Sequence, residues 1–213
     1  MKNASIVLGQ IGVGKSSFIN GISGKTYCQI SSYAEYCTSC ANLINFQHEN
    51  NTYEFIDTPG FDNPRGDEKN INLIKQVVSN NSDIKCIIIL FNLQSNKLTK
   101  SSIEFLKNIL QIFSVPNFWQ HVLIVYTKSY RYNEECREEI KNAQGSFLRC
   151  LRGYGCEELK NLMRKNNIKI PEHIPEFFVD SKLNLDDIDH NTRDEYKRIL
   201  YKIRDMIPIK YFH

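Results

Sequence analysis

Apolar positions along this chain follow two different periods. Short runs that are almost wholly apolar or β-branched alternate with longer stretches in which apolar residues return every three or four positions. The first pattern suits strands buried in a sheet, and the second suits helices packed on it. Strands are predicted at Ala4–Leu8, Ala41–His48, Thr52–Ile56, Ile84–Phe91, His121–Tyr126 and Glu176–Asp180, with Glu49-Asn-Asn51 as a turn. Helices are predicted from Lys15, after Gly66 (Ile71, Ile74, Val77 and Val78 on one face), and from Thr99 through Ile103, Leu106, Ile109, Leu110 and Phe113. Pro116 is expected to end the last of these. Residues 24–39 have no period and read as a loop, and 134–168 is a polar helical stretch broken by Gly153-Tyr-Gly155. The last helix, about 190–207, sets Tyr196, Ile199, Leu200, Ile203 and Ile207 on one face. A core-packing role is the simpler reading of that face, and a membrane or partner surface is the alternative. Such alternation predicts an α/β fold, a doubly wound and mostly parallel sheet with helices on both faces. The 213 residues suit one domain, 1–213 with a core of about 4–185, because two would have small cores.

Composition narrows the function classes. The net charge of +3 is small and no block of consecutive Lys or Arg occurs, so nucleic acid is not an expected partner. The longest apolar run, Cys86–Phe91, falls far short of the roughly 18 residues of a membrane span. Ile6-Val-Leu8 is too short for a signal-peptide core, and the C-terminus carries no prenylation box. A cytoplasmic protein is expected, with peripheral membrane association left open. Seven scattered cysteines (Cys28, Cys37, Cys40, Cys86, Cys136, Cys150 and Cys156) then read as reduced thiols. Cys37-Thr-Ser-Cys40 has no second pair at zinc spacing. The sequons at Asn3, Asn50 and Asn80 and the tripeptide Arg65-Gly-Asp67 read as coincidence in that setting.

One motif dominates the candidate chemistry. Gly9-Gln10-Ile11-Gly12-Val13-Gly14-Lys15-Ser16 fits the phosphate-loop pattern G-x-x-x-x-G-K-[ST], between a predicted strand and a helix that continues with Ser17 and Phe18. Glycines let successive N–H groups face the phosphates, and the helix adds its positive end. Lys15 is expected on the β- and γ-phosphates, and the Ser16 hydroxyl on Mg²⁺.

A second stretch completes the metal site. Tyr53-Glu-Phe-Ile-Asp57-Thr-Pro-Gly60 is a strand ending in Asp-Thr-Pro-Gly. Asp57 is the candidate second metal residue, and the Gly60 N–H the candidate γ-phosphate sensor. Between the two, Thr38 is the natural hydroxyl to close over the metal, with Ser39 or Thr26 as alternatives. The metal set is therefore Ser16, Thr38 and Asp57, and the catalytic set Lys15, Thr38 and Gly60. Thr127-Lys128-Ser129-Tyr130 follows a buried strand where base recognition by N/T-K-x-D is expected. Tyr130 stands in place of the acid and cannot accept from both guanine N–H edges. Asp180, Glu134 or Glu135 then covers the base, or selectivity for GTP over ATP is relaxed. Phe61 stands where a Gln often orients the attacking water, so slow hydrolysis is expected.

These residues resemble the immunity-associated, septin-related GTPases (the AIG-type or GIMAP family). The resemblance lies in Gly9–Ser16, Ile56-Asp-Thr-Pro-Gly-Phe-Asp62 and the stretch 91–115, where Lys97 and Thr99 stand at the positions of the family's own box. It covers roughly 4–185, and 91–128 is its specific part. Lys97 replaces the usual Arg, the base-specifying acid is absent, and no hydrophobic anchor follows. The resemblance implies binding of GTP and GDP with Mg²⁺, and a nucleotide-dependent homodimer or oligomer formed through the G-domain face. A slow GTP hydrolase is the expected activity. The alternatives are a nucleotide-holding scaffold with negligible hydrolysis, and an NTPase of relaxed base selectivity.

Overall fold

The computed structural model describes residues 4–28, 40–49, 51–61, 67–81, 84–93, 99–129, 134–153, 155–180 and 190–209. Thr38, Ser39, Cys37, Lys97 and Tyr130 lie outside them, as do the side chains of Glu134 and Glu135.

The strands are β1 (Ala4–Gly9), β2 (Asn42–His48), β3 (Asn51–Asp57), β4 (Ile84–Asn92), β5 (Val122–Thr127) and β6 (Glu176–Phe178). They form one sheet in the order β2-β3-β1-β4-β5-β6. Only β2 runs antiparallel, paired to β3, and just past its end Glu49 takes a left-handed φ of 54°. The other neighbours are parallel. The helices are α1 (Lys15–Ser23), α2 (Asp67–Asn80), α3 (Lys100–Ile112), α4 (Glu134–Ala143), α5 (Ser146–Arg152), α6 (Glu157–Lys165) and α7 (His190–Ile209).

Side-chain alternation explains why both sheet faces are covered. Ile6, Leu8, Ile87, Ile89, Phe91 and Ile124 face one core, shared with residues of α2 through α6. Val7, Cys86, Ile88, Leu90, Leu123 and Val125 face the other, shared with α1 and α7. Central strands with apolar side chains on both faces require helices on both sides, since either face left wet would expose large aliphatic side chains. Tyr196, Leu200, Ile203 and Ile207 of α7 lie in the second core, which accounts for the apolar face of that helix.

Boundaries differ from the sequence reading in three instructive places. Helix α3 ends at Ile112, before Pro116: Phe113 leaves helical geometry (φ −111°, ψ 64°) and packs against Phe118. The need to bury two aromatic rings ends the helix, and the proline follows that end. Thr99 is its N-cap, with Oγ1 accepting from the Ser102 N–H at 3.1 Å. The polar stretch 134–168 breaks twice. The unforeseen break is at Gly145, whose left-handed φ of 66° frees its N–H to donate to Glu176 Oε2 at 2.7 Å.

Candidate functional site

The carboxyl ends of β1, β3, β4, β5 and β6 share one edge of the sheet, where an open parallel sheet leaves a crevice. The loop from β1 to α1 crosses that edge. Gly12 (φ 71°) and Gly14 (φ 99°) take left-handed backbone, which an L side chain adopts only with strain. The loop can therefore curl, and it delivers Lys15 as the first residue of α1.

Lys15 is only 7% exposed, and its Nζ donates to the carbonyls of Gly9 and Gln10, each at 3.1 Å. The ammonium is thus folded back over the loop's own mouth. Burial pulls its pKa down to about 8, and the neighbouring Asp57 charge partly opposes that shift. The next side chain, Ser16, donates through Oγ to Asp57 Oδ2 at 2.8 Å. Asp57 is the last residue of β3, pairs in register with Val7, and is 1% exposed. A hydroxyl and a carboxylate in contact, at the start of a helix and beside a buried ammonium, form a hard oxygen pair that suits Mg²⁺. The residues present therefore fit the metal.

The segment after Asp57 is laid directly on the phosphate loop. Thr58 Oγ1 donates to the Val7 carbonyl at 2.6 Å. The Ile11 N–H donates to Phe61 O at 3.0 Å, and the Phe61 N–H to Gly9 O at 3.3 Å. A Cβ on Gly60 would lie 2.6 Å from Ile11 Cγ1 and 2.8 Å from Ile11 Cα and N, so only glycine permits this approach. Asn70 of α2 donates to the Gly60 carbonyl at 2.8 Å. Phe61 itself is 1% exposed, its ring 5.1 Å from that of Phe105. The residue after Gly60 is therefore a core anchor.

At the other end of the crevice, Thr127 is fully buried. Its Oγ1 donates to Val13 O at 2.6 Å and lies 3.3 Å from Phe91 O. The base-end strand is thereby tied to the phosphate loop. Lys128 follows with a left-handed φ of 57°, and the Ser129 N–H donates to Val179 O at 3.3 Å. Asp180 is adjacent to that contact. Thr26 is exposed beyond α1.

The structure thus gathers Gly9, Gln10, Ile11, Gly12, Val13, Gly14, Lys15, Ser16, Ser17, Asp57, Gly60, Thr127 and Lys128 along one edge. Sequence reasoning missed the anchoring roles of Thr58 and Asn70, and the link from the Gln10 side-chain amide to Ser101 at the start of α3. A short hydroxyl directly after Asp57 is the available signal for Thr58; Asn70 and Ser101 carry none. Among the described residues, no cluster of His, Cys, Asp and Glu forms a further metal site, and no helix is long and apolar enough to cross a membrane.

A family model described as 50S ribosome-binding GTPase matches residues 5–128, more than half of the chain. No curated protein matches the sequence. Solved structures share the fold. Toc33 from Arabidopsis thaliana in complex with Mg²⁺ and GMPPNP has a TM-score of 0.70 at 17% identity, over 97% of this chain and 82% of that one. A structure described under "Dimerization is important for the GTPase activity of chloroplast translocon components atToc33 and psToc159" has a TM-score of 0.68 at 20% identity, over 93% and 82%. LeoA, a bacterial dynamin GTPase from ETEC, has a TM-score of 0.60 at 13% identity, over 98% of this chain and 36% of that one.

Proposed function

This chain belongs to the GTPase family described as 50S ribosome-binding GTPase, and on that premise we propose that it binds GTP and GDP with Mg²⁺, hydrolyses GTP slowly, and dimerises in the GTP state. The observation that carries the reading is the 2.8 Å contact of Ser16 with Asp57 beside the buried Lys15 ammonium, at the mouth of the glycine loop. Ribosome binding is not part of the proposal, because a net charge of +3 without a basic block gives little attraction to RNA.

Ser16 and Asp57 would hold the metal, with Thr38 as the third protein ligand, and the ion would neutralise charge on the β- and γ-oxygens. Lys15 leaves the carbonyls of Gly9 and Gln10 and places its charge on the same oxygens. The N–H groups of the loop and the start of α1 cradle the phosphates. Gly60 lies against the loop at Ile11; its N–H would sense the γ-phosphate and, with Thr38, position the attacking water. Phe61 cannot help, since its ring is sealed in the core. Catalysis that depends on positioning is then incomplete in a lone protomer. The finer branch, AIG-type, rests on the pattern of residues 91–128.

Phosphate release and nucleotide binding test the reading together. Lys15→Ala is expected to lose GTP hydrolysis entirely and to weaken GDP binding by at least about 100-fold, the scale of a lost charge-assisted phosphate contact. Unchanged binding by this variant would remove the phosphate-loop assignment.

A further inference from the structure

We propose that the groove at the carboxyl end of α6 docks an acidic amphipathic helix of a partner protein. The inference is independent of the nucleotide reading above.

The way α6 stops builds the groove. Asn167 takes a left-handed φ of 56°, and its N–H donates to Arg164 O at 3.1 Å while the Ile168 N–H donates to Met163 O at 2.9 Å. These are the two bonds of a left-handed helix C-cap, and they bring Ile168 to Met163 and turn the chain back along the helix. A cavity of about 490 Å³ lies between the two arms. Met163, Ile168 and Ile170 give it an apolar floor, the first two 1% and 4% exposed. Lys160, Arg164 and Lys169 supply its charged lining.

That charge is uncompensated. Residues 159–171 hold four cations, Lys160, Arg164, Lys165 and Lys169, and no acid. Elsewhere helix lysines are neutralised locally, Lys107 by Glu104 and Glu158, and Lys141 by Glu138. Lys160 has Glu157 at 3.0 Å, but Arg164, Lys165 and Lys169 meet no carboxylate among the described residues. The negative end of α6 accounts for Arg164 and Lys165 in its last turn, and leaves Lys169, beyond the helix, unexplained. An anionic partner is the complement.

Shape selects among anions. The apolar floor is recessed behind the cations, so it receives side chains that project from a partner. A bilayer is entered the other way, by apolar side chains that project from the protein. No aromatic ring lines the groove for a nucleic-acid base to stack on. An acidic helix with apolar residues one turn apart supplies both anchors for the floor and carboxylates for the cations. The site also leaves the phosphate loop clear. From the groove the chain runs to the amino end of β6, where the Ile124 N–H donates to Pro175 O at 3.0 Å, while the loop lies at the carboxyl ends of the parallel strands.

The test selects a displayed library of short random peptides on the full chain and on Arg164→Glu/Lys169→Glu. Both side chains are exposed, so the variant should keep the wild-type unfolding temperature. Wild type is expected to enrich peptides rich in Asp and Glu with apolar residues three or four apart, and the variant is not. Fluorescence anisotropy of an enriched peptide should show at least about 10-fold weaker binding to the variant, with Arg164→Gln/Lys169→Gln in between. Changing the peptide's acids to amides, or its apolar anchors to Ser, should each lose a similar factor. The proposal falls if no acidic peptide is enriched, or if the enriched peptide binds wild type and variants alike. It falls too if the two cations instead govern binding to phosphatidylserine vesicles, or self-association of the chain in sedimentation, with no peptide bound.

Discussion

Lys15 combines two demands that conflict in the free protein. Its ammonium must be buried to meet phosphates in a water-poor site, and burial without those phosphates lowers its pKa to about 8. Phosphate charge favours the ammonium, so nucleotide binding raises that pKa and takes up a proton wherever the free lysine is neutral. The sign follows: affinity is at its full value below pH 8 and falls as pH rises above it, by up to tenfold per unit until the bound lysine also titrates. Calorimetric titration of GDP at pH 7 and pH 9, in buffers of different ionisation heat, should show proton uptake only at the higher pH. Thr127 makes a second residue-scale case. Its hydroxyl holds the carbonyl of Val13 from a strand 114 residues away. Thr127→Val keeps the shape but leaves buried acceptors unpaired, at a cost of about 1–3 kcal/mol. Thermal unfolding should register that cost, and nucleotide affinity should fall as the loop loses its brace. Ser16 and Asp57 were legible in the sequence because their contact joins two recognisable motifs. The Thr127 bond was not, because its partner is a main-chain carbonyl and a carbonyl has no sequence signature.

At the scale of elements, the period of apolar residues was sufficient to find all six strands, since each is apolar enough to be buried on at least one face. Where helices end was less legible. Gly145 ends α4 because Glu176, thirty-one residues on, receives its N–H. Such distant partners are invisible to a local pattern. Helix α7 shows how an element is fixed by one side chain. Arg204 is buried, and its Nε donates to the Ile22 carbonyl at the end of α1 at 2.9 Å. Its other arm donates to His48 Nε2 on β2, and the guanidinium lies 5.1 Å from the Tyr201 ring centroid. Since guanidinium only donates, His48 must accept. Arg204→Met fills similar space without these bonds, and should cost about 2 kcal/mol and lower Tm by about 4–8 °C. His48→Gln retains an acceptor and should recover most of the loss that His48→Lys incurs, as read by the same unfolding measurement.

At the scale of the whole molecule, the proposed slow hydrolysis turns on how the described residues of the phosphate end are arranged. Lys15, Ser16, Asp57 and Gly60 are brought together, while Phe61 is turned into the core against Phe105. Phosphoryl transfer gains most from charges placed on the transition state, and an arginine contributed from outside is worth about 10³–10⁵ in rate. A second copy facing the open end of the crevice could contribute such a group. Each protomer's site would then mature only in the dimer, and the description of the Toc33 and Toc159 structure links dimerization to activity in proteins of the same fold. Turnover per site should therefore climb with protein concentration and level off when dimerisation is complete. Sedimentation should show dimers with a non-hydrolysable GTP analogue and monomers with GDP. The two measurements must agree on the concentration at which half the protein is paired. A rate that is fast and unchanged by dilution would mean that each protomer completes its own site, with a water-positioning group drawn from elsewhere in the same chain.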